Sequence, residues 1–162
     1  MRKIYILLIY FCLKSSLINA QLPQIGAEVW IESGQTKEQI DEFFRLMSDY
    51  KMTTARLFIM WNQIEPHQET YIFTNYDHAF KAAEKYGIKV VATLTASEPP
   101  PCRNKRSFYL LHTHSIFEDE SELSVAANYI KQVVDRYKNS KALEYWWLTN
   151  EPGQWPVPSR LT

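Results

Sequence analysis

Residues 144–155 read EYWWLTNEPGQW. An apolar run leads into Asn150 and Glu151, and Pro152 and Gly153 then break the chain. A buried strand that ends in an amide, a carboxylate and a turn can aim an acid at a leaving group. It can equally end in a solvated loop acid. Residues of the same kinds recur upstream as Glu28, Trp30 and Glu32, as Arg56, Trp61, Asn62 and Glu65, and as Thr95, Ser97 and Glu98. Together they form a set suited to sugar chemistry. One carboxylic acid protonates the glycosidic oxygen, a second carboxylate acts as nucleophile or base, and hydrogen-bonding groups and aromatic rings hold the sugar. Each residue also has a plainer reading. Arg56 lies inside an apolar stretch, where an unpaired charge is costly, so a structural ion pair and an active-site arginine both stay open. Trp61 could serve only packing, and Glu65-Pro66 could only start a turn.

The elements that must position these residues alternate in pattern. Residues 24–30 form a short apolar stretch suited to a strand. Thr36 and Gln39 then make a capping box, and Ile40, Phe43, Phe44 and Met47 recur at helical spacing. Residues 53–61 are β-branched and apolar, a second strand. Asn75 is the expected N-cap of a helix carrying Tyr76, Ala79, Phe80 and Ala83, with Gly87 as its stop. Residues 88–94 predict a third strand, followed by a long loop to about residue 119 with Pro99, Pro100 and Pro101. Leu123, Ala126, Ala127, Ile130, Val133, Val134 and Tyr137 trace a third helix, and residues 142–148 a fourth strand.

The order is therefore β-α-β-α-β-α-β, with strands apolar on both faces, as in a helix-covered parallel sheet. Units of roughly 30 residues fit both a doubly wound sheet and a (β/α)8 TIM barrel. In either architecture function collects at the carboxyl ends of the strands, so the candidate residues would share one rim. The first strand is followed by EVWIESGQT, whose single glycine argues against a nucleotide-binding loop.

Composition narrows the partners. The formal net charge is zero, which removes the electrostatic argument for nucleic acid or an anionic membrane. Five Trp, ten Tyr and eight Phe suit either a core or a sugar-stacking site. Residues 1–20 open with Arg2 and Lys3, run apolar from Ile4 to Leu13 and close on small and polar residues. That order predicts a signal peptide cut after Ala20, a secreted or periplasmic protein, and no membrane attachment after cleavage; an N-terminal anchor is the alternative. Cleavage would leave Cys102 as the single cysteine of residues 21–162, with no internal disulfide. His112 and His114 beside one cysteine do not make a metal set, so no metal or cofactor is expected.

The stretch RLFIMWNQIEPHQETYIFTNYDHAFKAAEKYGIKVVATLTASEPPP resembles the second and third units of the retaining β-galactosidases of glycoside hydrolase family 42. In that family an arginine on strand two, an F-x-x-W stretch, EP-x-x-G-x-YDF, a helix, GI-x-V and TPTA-x-PP follow in the same order. YWWLTNEPG is similar to the family's strand-four ending, and the likeness runs from about Ile25 to Gly153. It implies a (β/α)8 TIM barrel glycosidase of which only the first four β/α units are present, a half barrel. Residues 21–162 would be the N-terminal part of the catalytic domain. Carried over by position, Glu151 would be the general acid/base and Asn150 would hydrogen-bond the sugar 2-hydroxyl. Arg56 would keep the nucleophile ionised and Trp61 would help wall the pocket; Glu28, named by its place at the end of the first strand and not by the resemblance, is expected to bind substrate with them.

The resemblance also sets departures. The family usually ends strand four in Asn-Glu-Tyr, and Pro152 is commoner in related endoglycanase families, so a β-glucan or β-mannan substrate is an alternative to a β-galactoside. The zinc-binding cysteines of some members are absent. The nucleophile belongs on a seventh strand, expected beyond Thr162, and a barrel takes about 250 residues. The 162-residue chain alone is therefore expected to show little or no hydrolysis. A non-catalytic sugar-binding or self-associating half barrel, closing its open edges as a homo-oligomer, is the competing reading.

Overall fold

The computed structural model describes residues 24–95, 102 and 120–148. Strand β1 (Gly26–Trp30) is followed by helix α1 (Lys37–Asp49), strand β2 (Thr54–Met60), a single turn α2 (Trp61–Ile64) and helix α3 (Thr74–Tyr86). Strand β3 (Lys89–Thr95), helix α4 (Glu120–Tyr137) and strand β4 (Leu143–Trp147) complete the order. The strands form one sheet, β1-β2-β3-β4, and every neighbouring pair is parallel. A doubly wound sheet reverses its strand order at a switch point. Here sequence order and spatial order coincide, as in a barrel wall.

All three long helices cover one face of the sheet. Their Ile40, Phe44, Met47, Tyr76, Ala79, Phe80, Ala83, Tyr129 and Val133 join Val29, Ala55, Leu57, Ile59, Val90, Ala92 and Leu94 in one buried cluster. The strand members alternate, so each strand sends every second side chain to the helices. Among the described residues no helix is long and apolar enough to cross a membrane.

Local chemistry sets most boundaries. The Thr36–Gln39 capping box forms as expected: the Gln39 N–H donates to Thr36 Oγ1 at 3.3 Å and the Thr36 N–H to Gln39 Oε1 at 2.9 Å. Gly87 ends α3 in the left-handed region at φ 69°, a conformation that costs a residue with a Cβ more than it costs glycine. Gly26 answers a different need, since a Cβ there would lie 2.4 Å from the Thr54 carbonyl oxygen.

Three expectations need correction. Asn75 is not the N-cap of α3, which starts at Thr74 behind Phe73 with no side-chain cap. Phe73 is buried and meets Tyr137 edge-on at 6.0 Å, so an apolar anchor sets the entry angle where a polar cap was expected. The second strand stops at Met60, and Trp61 opens the α2 turn. The helical stripes are also narrower than the spacing suggests, because Phe43 and Leu123 are exposed.

Candidate active site

The sheet face away from the helices carries the candidate residues. In β-sheet register Glu28 faces Arg56, Arg56 faces Val91, and Val91 faces Tyr145. One step further toward the carboxyl ends come Trp30, Phe58, Thr93 and Trp147. Residues two apart on a strand share a face, so these two rows lie side by side.

Arg56 joins them. Its Nη1 donates to Glu28 Oε1 at 2.9 Å and its Nε to Thr93 Oγ1 at 3.1 Å. The guanidinium carbon lies 4.7 Å from the Phe58 ring centroid and 4.4 Å from that of Trp147. Trp30 in turn stacks on Phe58 with centroids 4.1 Å apart. The side chain of Arg56 is 23% exposed and that of Glu28 53%. At that exposure the ion pair contributes on the order of 1 kcal/mol or less, and each ring contact roughly 0.5–1 kcal/mol. The arrangement therefore orients a cation more than it stabilises the fold. Arg56 is the third residue of β2 and not its last, which corrects the expectation of a residue at the strand end. It gains the distance with its length, reaching Thr93 one register step along.

The carboxyl end of β2 is built differently. The Tyr129 hydroxyl donates to the Ile59 carbonyl at 2.5 Å, and Thr95 Oγ1 donates to the same oxygen at 2.8 Å. The Met60 N–H donates to the Tyr76 hydroxyl at 2.9 Å. The β1–β2 ladder ends at the Trp30–Phe58 pair, so these hydroxyls satisfy backbone groups beyond it. Burial pushes the Tyr76 and Tyr129 hydroxyls well above the usual tyrosine range, so both stay protonated.

Trp61 was expected to wall the pocket. It is 2% exposed, stacks on Tyr129 at 5.1 Å and gives its indole N–H to Glu65. It supports the rim from the α4 side. Asn62 and Glu65 follow on the same turn, with the Glu65 carboxyl buried. Ser97, Glu98, Asn150 and Glu151 lie outside the described residues, as does any nucleophile beyond Thr162. Among the described residues no group of three or more His, Cys, Asp or Glu could hold a metal ion.

The family model for glycoside hydrolase family 42, described as beta-galactosidase, matches residues 29–158. The chain belongs to this family. The matched span holds Arg56, Trp61, Asn150 and Glu151 and omits Glu28. Among solved structures the chain is similar to a beta-galactosidase from the Antarctic haloarchaeon Halorubrum lacusprofundi, with TM-score 0.68 and 19% identity over 81% of this chain and 22% of that one. The beta-galactosidase of the psychrophilic Marinomonas ef1 gives 0.65 and 16% over the same shares, 81% and 22%. An exo-beta-1,4-mannosidase from Opitutaceae bacterium strain TAV5 gives 0.64 and 20% over 84% and 26%. At these identities the likeness shows the fold, four consecutive units of a (β/α)8 glycosidase barrel. The chain spans about a quarter or less of the length of these three structures. No curated protein matches.

The family 42 chain thus keeps Glu28 and Arg56 together and adds Thr93, Phe58 and Trp147, which sequence reasoning did not single out. A signal for Phe58 was available: Arg56, Phe58 and Met60 sit at spacing two, so one face of β2 carries both the cation and an aromatic ring. Thr93 and Trp147 belong to other strands, and no local pattern ties them to Arg56.

Proposed function

We propose that this chain is the acid/base part of a secreted retaining glycosidase acting on β-galactosides. The match of residues 29–158 to family 42 carries this reading, because it spans Asn150 and Glu151. In the first step Glu151 protonates the glycosidic oxygen while a carboxylate from beyond Thr162 attacks the anomeric carbon. The aglycone leaves, and a covalent glycosyl–enzyme remains. In the second step Glu151 takes a proton from water, which attacks the same carbon and frees the nucleophile. Asn150 holds the 2-hydroxyl. Arg56 keeps the incoming nucleophile ionised, and Glu28 keeps Arg56 oriented. Residues 1–20 direct the chain out of the cytoplasm and are removed after Ala20.

The test is hydrolysis of a nitrophenyl β-galactoside by the naturally produced polypeptide, with the anomer of the first product followed by NMR. Retention is expected, and Glu151→Gln lowers kcat about 10²–10⁴-fold, the range for general acid–base catalysis. Inversion, or an unaffected Glu151→Gln variant, overturns the reading. Activity confined to mannans or glucans transfers the same machinery to another sugar.

A second reading draws on the open side of the sheet. Tyr145, Trp147 and Leu148 are exposed at the β4 edge and Ile25 beside β1. Exposed apolar edge strands are hazards unless covered, which favours a self-associating half barrel that binds sugar without turnover. A concentration-dependent dimer with saturable, unproductive galactoside binding is the outcome that selects it.

A further inference from the structure

The row of side chains toward the carboxyl ends of the strands runs Trp30, Phe58, Thr93 and Trp147. Three of the four are rings, and the short Thr93 leaves a gap in the row between Phe58 and Trp147. The Arg56 guanidinium comes forward from the row behind and enters that gap. It lies over both rings and gives its Nε–H to Thr93 Oγ1 at 3.1 Å, while Nη1 donates to Glu28 Oε1 at 2.9 Å. The two hydrogen bonds fix the direction of the guanidinium within its own plane, and the rings limit its tilt. Phe58 is itself backed by Trp30, whose ring stacks on it with 13° between the planes. The stack therefore crosses the sheet from β1 to β4. Thr93 and Phe58 in its middle are buried, whereas Trp30 and Trp147 at its ends are nearly half exposed.

Rings and carboxylates hold a cation with different consequences. A carboxylate partner neutralises the charge it orients, whereas a neutral ring attracts the cation through its quadrupole and leaves the positive charge in place. The Glu28 side chain is half exposed, so its pairing is screened by water. An arginine that stays protonated at every working pH and is fixed by rings is suited to act on a second anion. We infer that Trp147 is a positioning residue: together with Phe58 it fixes the Arg56 guanidinium so that its charge acts on the nucleophilic carboxylate. This rests on the proposed glycosidase reading and adds to it a residue of the fourth strand. Among the described residues, the titratable groups in the strand rows around Arg56 are Glu28 from β1, Tyr145 from β4 and, one row back on β3, Lys89. The Lys89 ammonium is given to the Lys141 carbonyl at 2.9 Å.

The test uses Trp147→Leu and Trp147→Phe in the naturally produced polypeptide, with kcat/KM for a nitrophenyl β-galactoside followed against pH. The acid limb of that profile reports the carboxylate that must be ionised in the free enzyme, and a nearby cation lowers its pKa. Loosening the cation raises that pKa. Trp147→Leu should therefore move the acid limb to higher pH by about 0.5–1, a part of what an adjacent arginine supplies. Trp147→Phe keeps a ring with a weaker hold on a cation, so its limb should move the same way by less. A merely structural role would lower the whole curve without moving the limb, and a direct sugar contact would raise KM alike at every pH. Either result overturns the inference while leaving the glycosidase reading standing. In Glu28→Gln the limb should persist, moved upward; a limb that vanishes belongs to Glu28 and overturns the inference as well. Trp147 is 44% exposed, so its truncation leaves the helix-side core intact. Should Trp147→Leu still fail to fold, the direction of the Trp147→Phe limb decides. A wild-type polypeptide that hydrolyses no β-linked glycoside overturns both.

Discussion

Trp146 and Trp147 are neighbours in β4, and they belong to opposite sides of the molecule. Trp146 packs against the helix-covered core. Trp147 is 44% exposed and lies under the Arg56 guanidinium. The same division runs along β2, where Ala55, Leu57 and Ile59 face the helices while Arg56 and Phe58 join the charged and aromatic group. On the helix side the sheet is satisfied by this chain's own side chains, and the contacts are apolar. On the other side one cation is held by a carboxylate, a hydroxyl and two rings from four different strands. The first face holds the fold together, and the second keeps polar groups in fixed places at modest cost. Stability and site are thus assigned to alternate residues of the same strands.

The largest expected effect comes from breaking the covered face. Leu57→Ala removes a fully buried side chain from the middle of the cluster, and cavity formation costs about 2–5 kcal/mol. Urea denaturation should show it as a lower midpoint with an unchanged slope. A loss below about 1 kcal/mol would mean that the core closes over the gap. On the open face Arg56→Met should cost stability about 1–3 kcal/mol at most, the ion pair and the two ring contacts together, and still impair β-galactoside hydrolysis or binding severely. Equal losses in both measurements would erase the distinction between the faces.

The smallest effect lies in the seam between α3 and α4. Burial pushes Asp77 up, but hydrogen bonds from Arg136 and Tyr137 outweigh it and hold the carboxyl below the usual carboxylate range. A carboxyl whose folded pKa is depressed stabilises the fold above its unfolded value, near pH 4, and loses that contribution as the pH falls through the folded value. Wild type should therefore exceed Asp77→Asn by a few tenths of a kcal/mol near pH 7, and the gap should close below about pH 4. Thermal midpoints across that range would show it, and a gap independent of pH would rule the charge out as its source.

Much of this was legible in the chain. The capping box at Thr36, the stop at Gly87 and the apolar spacing of α1, α3 and α4 act within a turn or two, so short-range patterns reveal them. The N-cap of α3 was misread because the burial of Phe73 against Tyr137 is a contact between distant elements, and it outweighed the propensity of Asn75. Glu65 followed by proline looked like the start of a turn. Its role as the buried centre of that turn depends on the Trp61 indole, whose orientation is set by stacking on Tyr129 in another helix.

The sequence by itself determined the order of strands and helices, most of their ends, and membership of family 42, because periodicity, caps and motifs are properties of neighbouring residues. Only the tertiary structure decided that the sheet runs in sequence order, as a barrel wall does. Only it decided that Arg56 meets Glu28, 28 residues before it, and Thr93, 37 residues after it. Strand register is selected by packing the whole helix-covered face, and the residues left on the other face meet as a consequence.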